Sequence, residues 1–178
     1  MTWNIVYLAN SNNMRPKSLN RKFQPFPFII SLAITLVIGY VASLFTRPQI
    51  AGWYVTLKKP SFNPPNWAFP VAWSILYVMI AISAYLVWKQ RNRARTYKTT
   101  ATIYFIQLLL NFSWSIVFFG MHEIFGALII IGLLWISIIL NIRWFSKFSK
   151  IAAWLLVPYL LWVSFAGLLN LNIYLLNR

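Results

Sequence analysis

Gln107, Asn111 and Ser115 recur at i, i+4 and i+8, with Trp114 close to the same face, so on a helix they form one polar stripe. Trp162, Ala166 and Asn170 repeat that spacing, with Tyr159 three residues before Trp162, and Trp73 and Tyr77 stand four apart. Amides, a hydroxyl and indoles offer hydrogen bonds and π faces, a combination that suits a flat, mostly apolar ligand. A plainer role for the same amides is to hold helices together, at about 0.6–2 kcal/mol each. Acid–base chemistry is outside their reach. One His, one acidic residue and no Cys among 178 residues leave no carboxylate pair, acid-bearing triad, thiolate or calcium cage within one chain.

The elements that must position these residues are membrane helices. With 60% hydrophobic and 10% charged residues, the chain lies far from a soluble domain, in which about a quarter of residues are charged. Five uncharged apolar segments, 26–46, 70–88, 99–119, 124–142 and 151–171, each approach the ~20 residues that cross ~30 Å of hydrocarbon. The expected fold is therefore an all-α membrane protein, a five-transmembrane-helix bundle. Continuous runs rather than short alternations exclude a barrel. A net charge of +15 would point a soluble protein to nucleic acid, but here the cations fall in the gaps between spans and nucleic acid is not an expected partner. The lipid bilayer is.

Those gaps fix an expected orientation. Twelve of the sixteen Lys and Arg fall on the side of the N-terminal tail and the 89–98 and 143–150 loops; Arg47, Lys58, Lys59 and Arg178 fall on the other. The positive-inside rule then puts the N-terminus in the cytoplasm. Asn111, Trp114, Ser115, Trp162, Asn170, Trp73 and Tyr77 then come to lie at mid-depth or in the outer half. The localisation expected is multi-pass, in a bacterial cytoplasmic membrane. Residues 1–25 read as a basic tail, with 1–13 disordered and Met14 a candidate start; 26–172 read as the membrane domain and 173–178 as a C-terminal tail. Pro158 should kink the fifth span.

Between the first two spans, WYVTLKKPSFNPPNW (53–67) carries Pro60, Pro64 and Pro65, which remove backbone donors and hold their neighbours extended. The run 53–67 is expected to lack regular helix, and the loop 47–69 that contains it to act as a stiff lid, with Trp53, Tyr54 and Trp67 as interfacial anchors. A cover whose shape is set before the ligand arrives loses less entropy on binding. Lys58 and Lys59 are the cations it offers to an acidic ligand. His122, in the tight 120–123 connection, reads as an interfacial polar cap, and no metal ligand is assigned.

WYVTLKKPSFNPPNW, PVAWSILY, NFSWSIVFF and AAWLLVPYLLWVSFAGLLN, in that order, resemble the TspO/MBR family of tryptophan-rich sensory proteins and translocator proteins, the peripheral benzodiazepine receptor relatives. The resemblance covers all five spans. It implies a bundle that commonly forms a homodimer, with a pocket beneath the first loop that takes protoporphyrin IX, haem or similar planar molecules as ligand, no cofactor being required. By position it implies that Tyr54, Pro64, Trp73, Gln107, Asn111, Ser115, Trp162 and Ala166 line that pocket; Trp53, Tyr77, Trp114 and Asn170 join them from the residue reading. It further implies Trp73 and Trp162 as the reactive pair if bound porphyrin is broken down in light and oxygen. Transport is the third class, but proton-coupled transport ordinarily uses an ionisable group within the membrane, and the five spans contain no Lys, Arg, Asp or Glu.

Overall fold

The computed structural model describes residues 22–93 and 95–178; the reading of 1–13 and of Met14 lies outside them. Among the described residues there are helices and no strands. Helix α1 spans Pro25–Ala51, a single turn α2 spans Trp53–Thr56, and α3 spans Ala68–Trp88. Helix α4 spans Tyr97–Ser115 and runs on as a π turn over Ile116–Gly120, α5 spans Ile124–Ser146, and α6 (Lys150–Leu155) and α7 (Val157–Asn177) together make the fifth span. All five spans are long and apolar enough to cross a membrane. At 1.5 Å per residue even α3, with 21 residues, reaches about 30 Å. The fold is the expected five-helix membrane bundle.

The helices close into a ring. α1 packs on α3 and α4, α5 lies between α4 and the α6–α7 pair, and that pair returns to α3. Because lipid is as apolar as Leu, hydrophobicity alone does not choose the inward face. On α1 the large residues Phe26, Ile29, Val37, Tyr40 and Leu44 are all exposed, while Thr35 and Ala42 are buried. Polar residues are the better markers: Ser83, Thr100, Gln107, Asn111, Ser115, Ser137, Asn141 and Asn170 are all buried. Several of them tie helices together. Ser83 donates from Oγ to the Ala152 carbonyl at 2.6 Å, and Ser31, partly buried on α1, donates to Ala81 O at 2.7 Å. Gly39 allows α1 to meet α3 closely, since a Cβ there would come within 2.4 Å of the Tyr77 ring.

Several boundaries differ from the expectation, among them the end of α5, which runs past Ile142 to Ser146. α1 does not stop at Thr46 but continues through Pro48 to Ala51, and α2 adds a turn inside the segment expected to lack helix. A proline one turn from a helix end forfeits one interior bond, and Gly52 N–H closes that end on Pro48 O at 3.3 Å. The helix-free part of the loop thus begins after Thr56. At the other terminus α7 runs to Asn177 with Ile173 buried, so 173–177 are helix rather than tail. The kink from Pro158 is a full break at Leu156, with Pro158 in the first turn of α7, where a missing N–H breaks no helical bond.

Candidate ligand pocket

The proline-rich loop is held by side chains at both ends. Tyr54 donates its hydroxyl to Asn63 Oδ1 at 2.7 Å, and Asn63 Nδ2 donates to Pro64 O at 3.0 Å. Asn177, at the end of α7, accepts from Lys58 N at 3.0 Å and donates to Lys58 O at 2.9 Å. Lys59 is folded back, with Nζ 4.9 Å from the Tyr54 ring centre and donating to Leu57 O at 3.0 Å. The loop therefore sits over the ends of α3 and α7, with Phe62 against Phe165 at 6.3 Å.

Beneath it, six of the expected residues share one aromatic hollow. Tyr54, Trp73, Trp114, Trp162, Ala166 and Asn170 line it, together with Phe69, Phe118, Phe119, Leu169 and Ile173. The hollow itself is small, about 20 Å³. It adjoins a cavity of about 500 Å³ between α1, α3 and the end of α4, with which it shares Phe69, Trp73, Trp114 and Phe119. Tyr77 and Ser115 line this larger space rather than the hollow, and so does Arg47. Drug-sized ligands generally occupy about 300–1,000 Å³. The larger cavity alone falls in that range, and the four shared residues, Phe69 and Trp73 from α3 among them, form the wall common to the two.

Gln107 and Asn111 are placed below both spaces in a buried hydrogen-bond cluster. Tyr77 donates to Asn111 Oδ1 at 2.7 Å, and Gln107 Nε2 and Asn111 Nδ2 donate to the Tyr159 hydroxyl at 2.9 and 3.0 Å. Their immediate work is to clamp α3, α4 and α7. Trp114 is likewise engaged, donating Nε1 to Asn170 Oδ1 at 3.1 Å, while Asn170 Nδ2 holds Ile124 O at 3.0 Å. Trp162 differs: its indole N–H is buried and has no partner. Besides Gln107 and Asn111, two expected residues stand outside the cavities. Trp53 stacks on His122 at 4.3 Å and edges Phe118, and Pro64 lends only its carbonyl to the loop. His122 meets Gln49 Oε1 at 3.0 Å as part of this cap.

Sequence reasoning placed Tyr159 beside the Trp162, Ala166, Asn170 stripe but did not number it among the pocket residues, and it proves to be the hub of the cluster. It missed Phe118 and Phe119 because they lie on the π turn, where Met121 N–H reaches Ile116 O across five residues and helical periodicity is interrupted. It also offered Lys58 and Lys59 where the cation lining a cavity is Arg47.

Burial pushes the Tyr54 hydroxyl from 10.0 up to about 12. Below pH 10 it is neutral folded or unfolded, and its bond to Asn63 contributes fully. Between pH 10 and 12 the unfolded chain ionises first, so that contribution declines and is gone above the folded value. The stability difference between the wild type and Tyr54→Phe should therefore be constant to about pH 10 and shrink from there to pH 12; a constant difference across that window would contradict it.

A ring of five apolar helices, each long enough to cross a bilayer, defines a multi-pass integral membrane protein. The chain belongs to the TspO/MBR family, whose model matches residues 31–176. Among its relatives, the tryptophan-rich protein TspO of Chlorobaculum tepidum is 43% identical over 148 residues, covering 83% of this chain and 94% of that protein. That of Archaeoglobus fulgidus is 43% identical over 151 residues, covering 84% and 95%. The human translocator protein is 35% identical over 152 residues, covering 81% and 88%.

Proposed function

We propose that this protein is a membrane receptor for porphyrins, protoporphyrin IX or haem, or for similar planar hydrophobic molecules. One observation carries the reading: Trp162, whose indole N–H is buried and unpartnered, lines a hollow whose other walls include Trp73, Trp114 and Tyr54. A buried donor left unmatched costs about 1–3 kcal/mol, and an imine-type ring nitrogen or a carbonyl or carboxylate oxygen on a ligand would recover it. The ring slides between Trp73 and Trp162 once the Phe69 and Trp73 side chains swing toward the 500 Å³ cavity, and Arg47 on that cavity's wall meets an acidic substituent. The loop closes the hollow from above as a lid, and the charge bias supports a cytoplasmic N-terminus with the pocket in the outer half.

Titration of the purified full chain with protoporphyrin IX tests this. Tryptophan fluorescence should be quenched saturably at one equivalent per chain, and a non-saturating, detergent-like response would refute it. A second reading, light- and oxygen-dependent porphyrin breakdown, is favoured by Trp73 and Trp162 lining one hollow. There the bound tetrapyrrole supplies the photochemistry and the protein the surroundings. Illuminated complex showing no product beyond a protein-free control would remove it.

A further inference from the structure

At the opposite end of the bundle a separate cavity of about 280 Å³ lies between α1, α3 and α4. Its walls include Phe26 and Ile30 from α1, Trp88 from α3, and Ala101 and Tyr104 from α4. None of these residues belongs to the pocket described above. Tyr104 is buried, and its hydroxyl has no hydrogen-bond partner. The rim is cationic. The Arg91 guanidinium lies 3.9 Å from the centre of the Trp88 ring and donates to Trp88 O at 3.3 Å, so its charge sits beside a wall residue. Lys98 stands in the first turn of α4 and Lys22 just before α1. The chain's one acidic side chain, Glu123, is at the far end, at the head of α5.

An apolar slot within a membrane helix bundle, with cations at its mouth and the unpartnered Tyr104 hydroxyl in its wall, matches an amphiphile with an acyl chain, a negative head and a polar atom between them. Basic pockets between transmembrane helices bind anionic lipid head groups in this way. We propose that the cavity holds one anionic phospholipid from the leaflet bordering the basic loops. One acyl chain lies between α1 and α4, the phosphate sits at Arg91, and the Tyr104 hydroxyl donates to an ester carbonyl. A phosphocholine head brings its own cation to this rim and is disfavoured. A free fatty acid puts its only polar group at the rim and leaves Tyr104 unanswered.

Native mass spectrometry of the full chain in mild detergent, supplied with phosphatidylglycerol, phosphatidylcholine of the same chains, or oleate, tests the site. One phosphatidylglycerol should be retained per chain. Arg91→Gln should weaken its retention about fivefold, the effect of one cation near a lipid surface. Ala101→Leu, which fills the slot, should abolish it, and Tyr104→Phe should weaken it by about 2- to 12-fold, the loss of one hydrogen bond. Unchanged porphyrin binding in each variant shows that the bundle is intact. Equal retention of phosphatidylglycerol and phosphatidylcholine, wild-type retention by Arg91→Gln, or oleate held as firmly as phosphatidylglycerol would each overturn the assignment.

Discussion

Trp162→Ala should weaken protoporphyrin IX binding by about 30-fold, the roughly 2 kcal/mol typical of a buried aromatic anchor at a binding site, while Trp162→Phe should cost about 2- to 12-fold. The smaller figure isolates the indole N–H, since Phe keeps an aromatic wall and gives up one hydrogen bond worth about 0.5–1.5 kcal/mol. The same substitution should leave the ligand-free protein close to wild-type stability, because that N–H has no internal partner to orphan. Trp114→Phe provides the opposite case. It strands Asn170 Oδ1, which Trp114 Nε1 now satisfies at 3.1 Å, so it should lower stability by about 1–3 kcal/mol and change affinity less. Fluorescence titration and thermal unfolding of the two variants decide the matter. If Trp162→Phe proved the less stable and Trp114→Phe the weaker binder, Trp162 would be a packing residue and the receptor proposal would lose its anchor.

How far the amino-acid sequence foretold this arrangement depends on which force does the positioning. The spans were legible because hydrocarbon thickness and the exclusion of charge act on composition and length, which a linear reading measures directly. The Gln107, Asn111, Ser115 and Trp162, Ala166, Asn170 stripes were legible because buried polar groups are rare in a bilayer, and all but the partly exposed Trp162 prove buried. The walls were harder. Phe69, Phe118 and Phe119 are chosen by the π turn and the start of α3, and in a chain with 14 Phe and 10 Trp aromaticity alone cannot separate a pocket wall from a lipid anchor. Trp154 is exposed at 71% and Trp114 at 8%, although both are tryptophans within spans. Gly39 was silent for a similar reason: its role depends on Tyr77 being opposite.

The expected division of labour between pocket and scaffold also shifts. Gln107 and Asn111 were expected to line the pocket, yet their amides are joined to Tyr77 and Tyr159. A ligand entering the hollow would meet aromatic faces first and reach Asn111 only by breaking an existing bond, whereas Gln107 Oε1 has no partner. On the proposed reading, ligand specificity would be set by shape, by the Trp162 N–H and by Arg47, while the amides set the spacing of the three helices that carry the walls.

That separation leads to a double-mutant cycle at Tyr77 and Asn111. Tyr77→Phe removes a hydroxyl and leaves Asn111 Oδ1 without its 2.7 Å donor; Asn111→Leu leaves the Tyr77 hydroxyl buried without an acceptor and takes one donor from Tyr159. Each should destabilise by about 1–3 kcal/mol, the range for an orphaned buried polar group. The double variant orphans neither partner of the pair, so it should be less destabilised than the sum by about 0.6–1.7 kcal/mol, the span measured for interhelical bonds in lipid. Tyr77 cannot swing to another acceptor, because its ring is wedged against the bare backbone at Gly39, which makes the coupling readable. Unfolding in mixed micelles supplies the four stabilities. Coupling within about 0.3 kcal/mol of zero would mean that the bond is incidental and that α3 and α4 are spaced by packing alone. Because Trp73 lies one turn from Tyr77 on α3, a true coupling carries a second consequence. Variants that loosen the bond should weaken porphyrin binding through the position of Trp73, without any contact between the amide and the ligand.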